Sequence, residues 1–207
     1  MIRDSLPDRA SPPTRKSLLI RLKNWGDEES WHEFYKIYEK LIYETALKAG
    51  LRNVEAQEVV QETLLSVAKK IAGFDYNPET GSFKGWLLQI TRRRIVDQLR
   101  KRKPDAPPAT NGAAVLTVEQ MSDPTSRLET LWNEEWHQAL LDMARAVVKR
   151  KVGARQYRMF DLYVLQQLPL KKVTKTLGVN AAQVYMAKYR ITKLLKKELH
   201  NLEEGAF

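Results

Sequence analysis

The sequence predicts an all-α fold: two small helical domains joined by a flexible linker. Three observations predict it. Apolar residues recur at three- and four-residue spacing through most of the chain, the period of a helix with one buried face. From Pro104 to Ser126 that rhythm stops, and PDAPPATNGAAVLTVEQMSDPTS holds four prolines and one glycine among small residues, a linker composition. Beyond Arg127 the spacing resumes and ends in two helices separated by a glycine turn, the layout of a helix-turn-helix.

In chain order, residues 1–13 carry three prolines and no apolar rhythm and read as a flexible tail. Ser17 to Trp25 makes a short helix. Asp27 is a good N-cap for EESWHEFYKIYEKLIYETALKAG, and Gly50 a good stop. Within that helix Trp31, Phe34, Tyr38, Leu41 and Thr45 form a core stripe. Asn53 caps VEAQEVVQETLLSVAKKI, with Ala56, Val60, Leu64, Val67 and Ile71 inward and Glu58, Gln61, Glu62 and Leu65 outward. An exposed leucine beside carboxylates and an amide suits a protein better than DNA, whose phosphates repel Glu58 and Glu62. An ordinary solvated helix side is the other reading. The segment GFDYNPETGSF, 73–83, cannot continue a helix. It is either a plain connection or, through Tyr76 and Asn77, a loop able to stack an unpaired base.

The stretch FKGWLLQITRRRIVDQLRKRK has seven basic residues between Arg92 and Lys103 against one acid, Asp97. With no Pro or Gly from Trp86 to Lys103, a helix of about five turns is expected. Leu87, Leu88, Thr91, Ile95, Gln98 and Leu99 fall on one side; Gln89, Arg93, Val96, Arg100 and Lys103 fall on the other. The second face offers forked donors to an anion such as phosphate; a solvated basic face with no partner is the alternative.

After the linker, which spans about 26 Å as a coil and ~75 Å fully extended, Leu128, Leu131, Trp132, Trp136, Leu140, Met143 and Val147 keep helical spacing. Gly153 precedes ARQYRMFDLYVLQQ, Pro169 opens PLKKVTKTL, Gly178-Val179-Asn180 turns, and AAQVYMAKYRITKLLKKELH ends the domain. Val173, Leu177, Val179, Val184, Ala187, Ile191 and Leu195 fill the inner positions. Lys171, Asn180, Ala182, Gln183, Tyr185, Met186, Tyr189, Arg190 and Lys193 are left to face a partner. The residues near the helix start are placed for base edges in a major groove, and Arg190 and Lys193 for phosphates. Lys171 to Lys197 carries eight basic residues and no acid. A plain helical hairpin with a basic surface is the competing reading.

The totals agree. A net charge of +10 and a pI near 9.7 point to nucleic acid or an anionic membrane surface. No cysteine is present, which excludes disulfides, thiolate catalysis and cysteine-held zinc and fits a cytoplasmic protein. His32, His137 and His200 form no ligand motif, so no metal and no cofactor are expected. No apolar run approaches the length of a membrane span, and the N-terminus lacks a signal peptide's apolar core.

With these stretches in hand, the chain resembles a bacterial sigma factor of the sigma-70 family, in the two-domain form of the extracytoplasmic-function (ECF) group. EAQEVVQETLLSVAKK resembles the family's core-polymerase-binding helix, including Gln61-Glu62. FKGWLLQITRRRIVDQLRKR resembles the helix that reads the −10 element, including Phe83, Gly85-Trp86-Leu87, Asp97 and Arg100. LKKVTKTLGVNAAQVYMAKYRITKLLKK resembles the helix-turn-helix that reads the −35 element. The resemblance implies sigma domain 2 over 14–103, a linker over 104–126, sigma domain 4 over 127–200 and a tail over 201–207. It implies a dissociable, non-enzymatic initiation factor. Glu58, Gln61, Glu62 and Leu65 would dock on the β′ coiled-coil of RNA polymerase, with the β subunit as a further partner. Tyr76, Asn77, Trp86, Gln89, Arg93, Arg100 and Lys103 would hold the melted −10 strand, and Lys171 with the outward residues of the last helix would hold the −35 duplex. An anti-sigma factor is a common partner in the family, and no residue here identifies one.

Three departures stand out. Arg93 replaces the family's usual Asn. Tyr185-Met186-Ala187 replaces a more polar, basic stretch, offering apolar contact such as to a thymine methyl. Lys172-Val173-Thr174 replaces Glu-Ile-Ala. The competing functions are a stand-alone helix-turn-helix regulator, an adaptor recruited to DNA by another protein, and a nucleic-acid-processing enzyme. The enzyme would need clustered carboxylates for metal ions, and Asp75, Glu79 and Asp97 are the only acids between Gly73 and Lys103.

Overall fold

A computed structural model of the chain describes residues 15–74, 82–101 and 127–204. The expected tail over 1–13, Tyr76, Asn77, Lys103 and the linker over 104–126 lie outside the described residues. Among the described residues the regular structure is all helical, as the spacing of apolar residues predicts.

Helix α1, Arg15–Leu22, ends three residues before Trp25. Helix α2, Glu28–Lys48, begins at Asp27, whose Oδ1 accepts the Ser30 N–H at 3.0 Å. Arg21 of α1 donates to the same carboxylate, Nε to Oδ2 at 3.0 Å, so the cap also ties the two helices together. At the other end Gly50 takes φ 94°. Its N–H reaches the Leu47 carbonyl and that of Leu51 reaches Ala46, the paired bonds of a Schellman stop. Phe34, Tyr38, Leu41, Ile42, Thr45 and Ala46 are buried, whereas Trp31 at the start of the stripe is only half-buried.

Helix α3, Asn53–Lys70, starts one residue earlier than its sequence suggests. Asn53 is its first helical residue, and Arg52 holds the cap position. An arginine cannot accept a backbone N–H; instead Glu55 reaches back, its Oε2 accepting Arg52 N–H at 2.7 Å while Oε1 takes the guanidinium at 2.7 Å. Its inner face is also turned from the expected one. Val59 and Thr63 are buried with Ala56, Val60 and Val67, and Leu64 is half-exposed. A single 3₁₀ turn, Ile71–Gly73, follows.

Helix α4, Phe83–Lys101, begins three residues before Trp86. Ser82 starts it, its Oγ accepting the Gly85 N–H at 3.1 Å. Phe83, Leu87, Leu88, Ile90, Thr91, Ile95 and Gln98 are buried. Val96, expected on the outward side, is half-buried and packs on the core.

Helix α5, Arg127–Lys151, is about 37 Å long at 1.5 Å per residue. Its first half joins the core of α1–α4: Leu128, Trp132, Trp136 and Leu140 are buried in the cluster that holds Phe34, Tyr38, Leu41 and Phe83. The Trp136 ring lies 5.8 Å from Tyr38 and 6.1 Å from Trp132. Glu135, nearly buried, accepts from Lys48 at 2.5 Å, and Lys40 donates to Asp142 at 3.1 Å. The second half turns to the C-terminal helices, where Val148 packs with Phe160 and Ile191.

Helix α6, Ala154–Phe160, continues as a π-helical turn, Asp161–Leu165. Pro169 then leads into α7, Leu170–Leu177, and the chain ends in α8, Ala181–Glu204, which runs past His200 into the expected tail. A small core of Met159, Leu162, Val173, Val184 and Ala187 holds this end together. The last turns of α8 place Leu199 and Leu202 against the larger core.

Candidate polymerase and nucleic-acid faces

Helices α3 and α4 pack side by side, and their polar residues divide between holding that pair together and facing out. Arg94 belongs to the joint. Its Nη2 donates to Ser66 Oγ at 2.9 Å, and Nη1 lies 3.4 Å from Asp97 and 3.7 Å from Glu62. Lys101 also reaches Glu62 at 3.8 Å, and Gln98 Nε2 donates to Glu58 Oε2 at 2.8 Å. Glu58 and Glu62, both expected on a docking face, are therefore engaged with α4, and Glu62 is half-buried.

Gln61 and Leu65 remain outward, Leu65 at 60% exposure. They open onto an apolar groove of about 640 Å³ lined by Trp25, Glu28, Trp31, Gln61, Leu64, Leu65 and Ala68. Trp25, in the turn between α1 and α2, is 60% exposed with its ring 6.0 Å from Trp31. Sequence reasoning missed Trp25 as a site residue. The only signal was a tryptophan beside Gly26 at the end of an apolar segment, where it reads as the tail of a short helix.

On the far side of α4, Gln89, Arg93 and Arg100 are exposed. Neither arginine makes an ion pair among the described residues, so both guanidiniums present forked donors to solvent. Trp86 sits apart from them. It is half-buried in an aromatic cluster, 4.6 Å from Phe74 and 5.6 Å from Phe83, and Phe83 in turn meets Phe34 and Tyr38 at 6.1 and 5.6 Å. That cluster fixes the start of α4.

The C-terminal unit has helix-turn-helix geometry. Gly178 takes φ 58°, the left-handed backbone that glycine adopts at least cost. Arg155 Nη2 donates to the carbonyls of Leu177 and Gly178 at 3.2 and 3.4 Å, occupying the freed end of α7. Asn180 and Gln183 cap α8 reciprocally: Asn180 Oδ1 accepts the Gln183 N–H at 2.9 Å and Gln183 Oε1 accepts the Asn180 N–H at 3.0 Å. Two residues expected on a DNA face thus spend an oxygen each on the turn, a use that a spacing argument cannot separate from base reading. Lys171, Ala182, Tyr185, Met186, Tyr189, Arg190 and Lys193 are all exposed. Val173, Val184, Ala187 and Ile191 are buried behind them, with Leu177, Val179 and Leu195 half-buried.

Among the described residues no three His, Asp or Glu side chains gather into a metal site. No described helix is long and apolar enough to cross a membrane.

Comparison with known proteins bears on the stretch from α2 through α4. The profile of sigma-70 region 2 matches residues 34–104, from α2 through α4. The chain is 33% identical over 81 residues to the ECF RNA polymerase sigma factor SigW of Bacillus subtilis, covering 39% of this chain and 41% of that one. It is 30% identical over 73 residues to the ECF RNA polymerase sigma factor SigE of Mycolicibacterium smegmatis, covering 35% and 27%. The matches thus span well under half the length of these relatives. Among solved structures, the RsbN-BldN complex aligns at TM-score 0.35 with 18% identity, over 86% of this chain and 97% of that one. CnrH in complex with the cytosolic domain of CnrY aligns at 0.38 with 15% identity, over 91% and 98%. Over residues 34–104, then, the chain carries sigma-70 region 2, and it is similar to two extracytoplasmic-function sigma factors.

Proposed function

We propose that the chain is a dissociable specificity subunit of RNA polymerase, which docks on the core enzyme, reads the −10 and −35 promoter elements and promotes melting. The observation that carries this is the division of labour across the α3–α4 pair. One side of the α3–α4 pair bears an apolar groove with Trp25 and Leu65 exposed; the other bears Arg93 and Arg100 without ion-pair partners among the described residues.

In this reading the groove receives the β′ coiled-coil, with the two exposed apolar side chains as anchors and Gln61 at the rim. Glu58 and Glu62 act indirectly, by holding α4 against α3. The outward face of α4 grips the melted −10 strand through its phosphates. Tyr76 and Asn77 stand close in sequence to the start of that helix, and a flipped base held there would have to offset an unstacking cost of a few kcal/mol. The helix-turn-helix holds the −35 duplex. The polymerase makes the bonds, and this chain supplies address and melting.

The test is single-round run-off transcription with core polymerase, the source organism's promoter pool and three forms of the chain. The wild type gives new start sites. Trp25→Asp with Leu65→Asp lowers core association tenfold or more, roughly the loss of one anchor, and removes initiation. Arg93→Gln with Arg100→Gln keeps core association and loses initiation. Wild-type protein that fails to associate with core would overturn the reading and favour the stand-alone regulator.

A further inference from the structure

The helix-turn-helix presents an unusual tip for a DNA reader. Three of its largest apolar side chains are exposed together on α8: Tyr185 at 50%, Met186 at 49% and Tyr189 at 63%. Tyr185 is held in place. Its ring meets Tyr163, on the π-helical turn, edge-on at 5.8 Å. The neighbouring Tyr163 hydroxyl raises the Tyr185 phenol above its usual value. Lys188, the first cation of α8, is drawn back over the Tyr163 ring at 5.5 Å.

The chemistry of base reading narrows what such a tip can recognise. Guanine is read best by a cationic fork on its O6 and N7, and adenine by an amide that offers an acceptor and a donor together. From Ala181 to Ala187 there is no arginine or lysine. The one amide, Gln183, has lent its oxygen to the Asn180 N–H. What remains outward is a methyl, a thioether and a phenol, groups that pack against the C5-methyl of thymine. The cations lie around this centre, with Lys171, Lys172 and Lys175 on one side and Arg190 and Lys193 further along α8. An apolar centre within a cationic rim suits a polyanionic duplex.

We infer that Tyr185 and Met186 determine specificity at the upstream promoter element by reading thymine methyl groups, so that the element is A·T-rich and carries no guanine contact from the first two turns of α8. The inference rests on the reading of the helix-turn-helix as the −35 reader. It narrows that reading to a class of sequence that the fold alone does not specify.

The test uses holoenzyme assembled from the full chain and core polymerase. A pool of duplexes randomised upstream of a fixed premelted bubble is bound and recovered, and the enriched positions are read. Runs of A·T pairs are expected. Deoxyuridine then replaces thymine in the recovered element, deleting the methyl and leaving every base-pair hydrogen bond. Wild-type holoenzyme should lose about fourfold in affinity per contacted methyl. Tyr185→Ala with Met186→Ala should bind both duplexes alike while keeping wild-type circular dichroism and core association. Enriched guanines, or indifference of the wild type to deoxyuridine, would overturn the inference and leave the −35 reading standing. Recovery through the bubble alone, with no upstream enrichment, would overturn both.

Discussion

Trp132→Ala tests where α5 belongs. Trp132 is fully buried, though it lies beyond the proline-rich segment 104–126 from the helices it packs on. Truncating a buried aromatic to alanine costs about 3–5 kcal/mol through lost transfer energy and the cavity left behind. One feature lowers the figure: the indole Nε1 is buried without a hydrogen-bond partner among the described residues, and removing a lone buried donor returns about 1 kcal/mol or more. The net expectation is about 2–4 kcal/mol. For a chain of this size that is a fall in Tm of roughly 5–15 °C. The assay is urea unfolding followed by far-UV circular dichroism and, separately, by tryptophan fluorescence. If two transitions resolve, the loss must appear in the one that belongs to α1–α4, because the partners of Trp132 lie there. Trp25→Ala, at an exposed site, serves as the control and should stay within about 0.5 kcal/mol. A Trp132→Ala cost no larger than that control would refute the seat of α5 on α2.

The charges and the turn give three further tests. Arg93→Gln and Arg100→Gln should each reduce the slope of log affinity against log salt for holoenzyme–promoter binding by about 1. Arg94→Gln, which severs the bonds to Ser66, Asp97 and Glu62, should instead lower the unfolding midpoint with little change in that slope. Gly178→Ala should cost about 1 kcal/mol, all of it backbone strain at φ 58°, because nothing lies within 4 Å of the added methyl; Gly178→Asn should cost less in the same denaturation assay. Asp27 sets an acid limit. The Arg21 guanidinium first, and then the Ser30 N–H, hold its carboxyl well below the usual carboxylate range. A depressed carboxylate adds stability above its unfolded value of about 3.9 and loses it as pH falls through the folded value. The wild type should therefore lose stability more steeply below about pH 4 than Asp27→Asn, read as the pH dependence of the urea midpoint.

Much of this molecule was legible because its signals are local. Asp27 before Glu28-Glu29-Ser30 and Gly50 after Ala49 mark the ends of α2 through backbone chemistry within a few residues, and the structure keeps both. The glycine turn at 178 and the inward Val173, Val184 and Ile191 follow from period alone. Where the reading slipped, the deciding partner lay elsewhere. Asn53 is a better cap by type than Arg52, but Glu55 and the Arg52 guanidinium form a fork that only their three-residue spacing in a folded turn creates. Glu58 and Glu62 look like free outer carboxylates until α4 supplies Gln98, Arg94 and Lys101. Trp25 reads as the end of a helix until α3 places Leu64 and Leu65 beside it.

Helix α5 shows the same limit at the scale of the whole chain. Its apolar spacing says that one stripe is buried and is silent on what covers it. The proline-rich segment before it invites a division into separate bodies, yet Trp132 and Trp136 pack with Tyr38 while Val148 packs with Ile191. A period cannot register that change of partner, because the stripe keeps one direction along the helix. The charges do carry a trace of it. Glu135 and Asp142 lie seven residues apart on one side of α5, and they meet Lys48 and Lys40, eight apart on α2. Matched spacing of opposite charge on two helices is what side-by-side packing requires, and here it joins positions 87 and 102 residues apart in sequence. Reversing one pair, Lys40→Asp with Asp142→Lys, should therefore be better tolerated than either change alone. The coupling would be small because both side chains are exposed, but its sign in a double-mutant cycle reports whether α5 lies along α2 in solution.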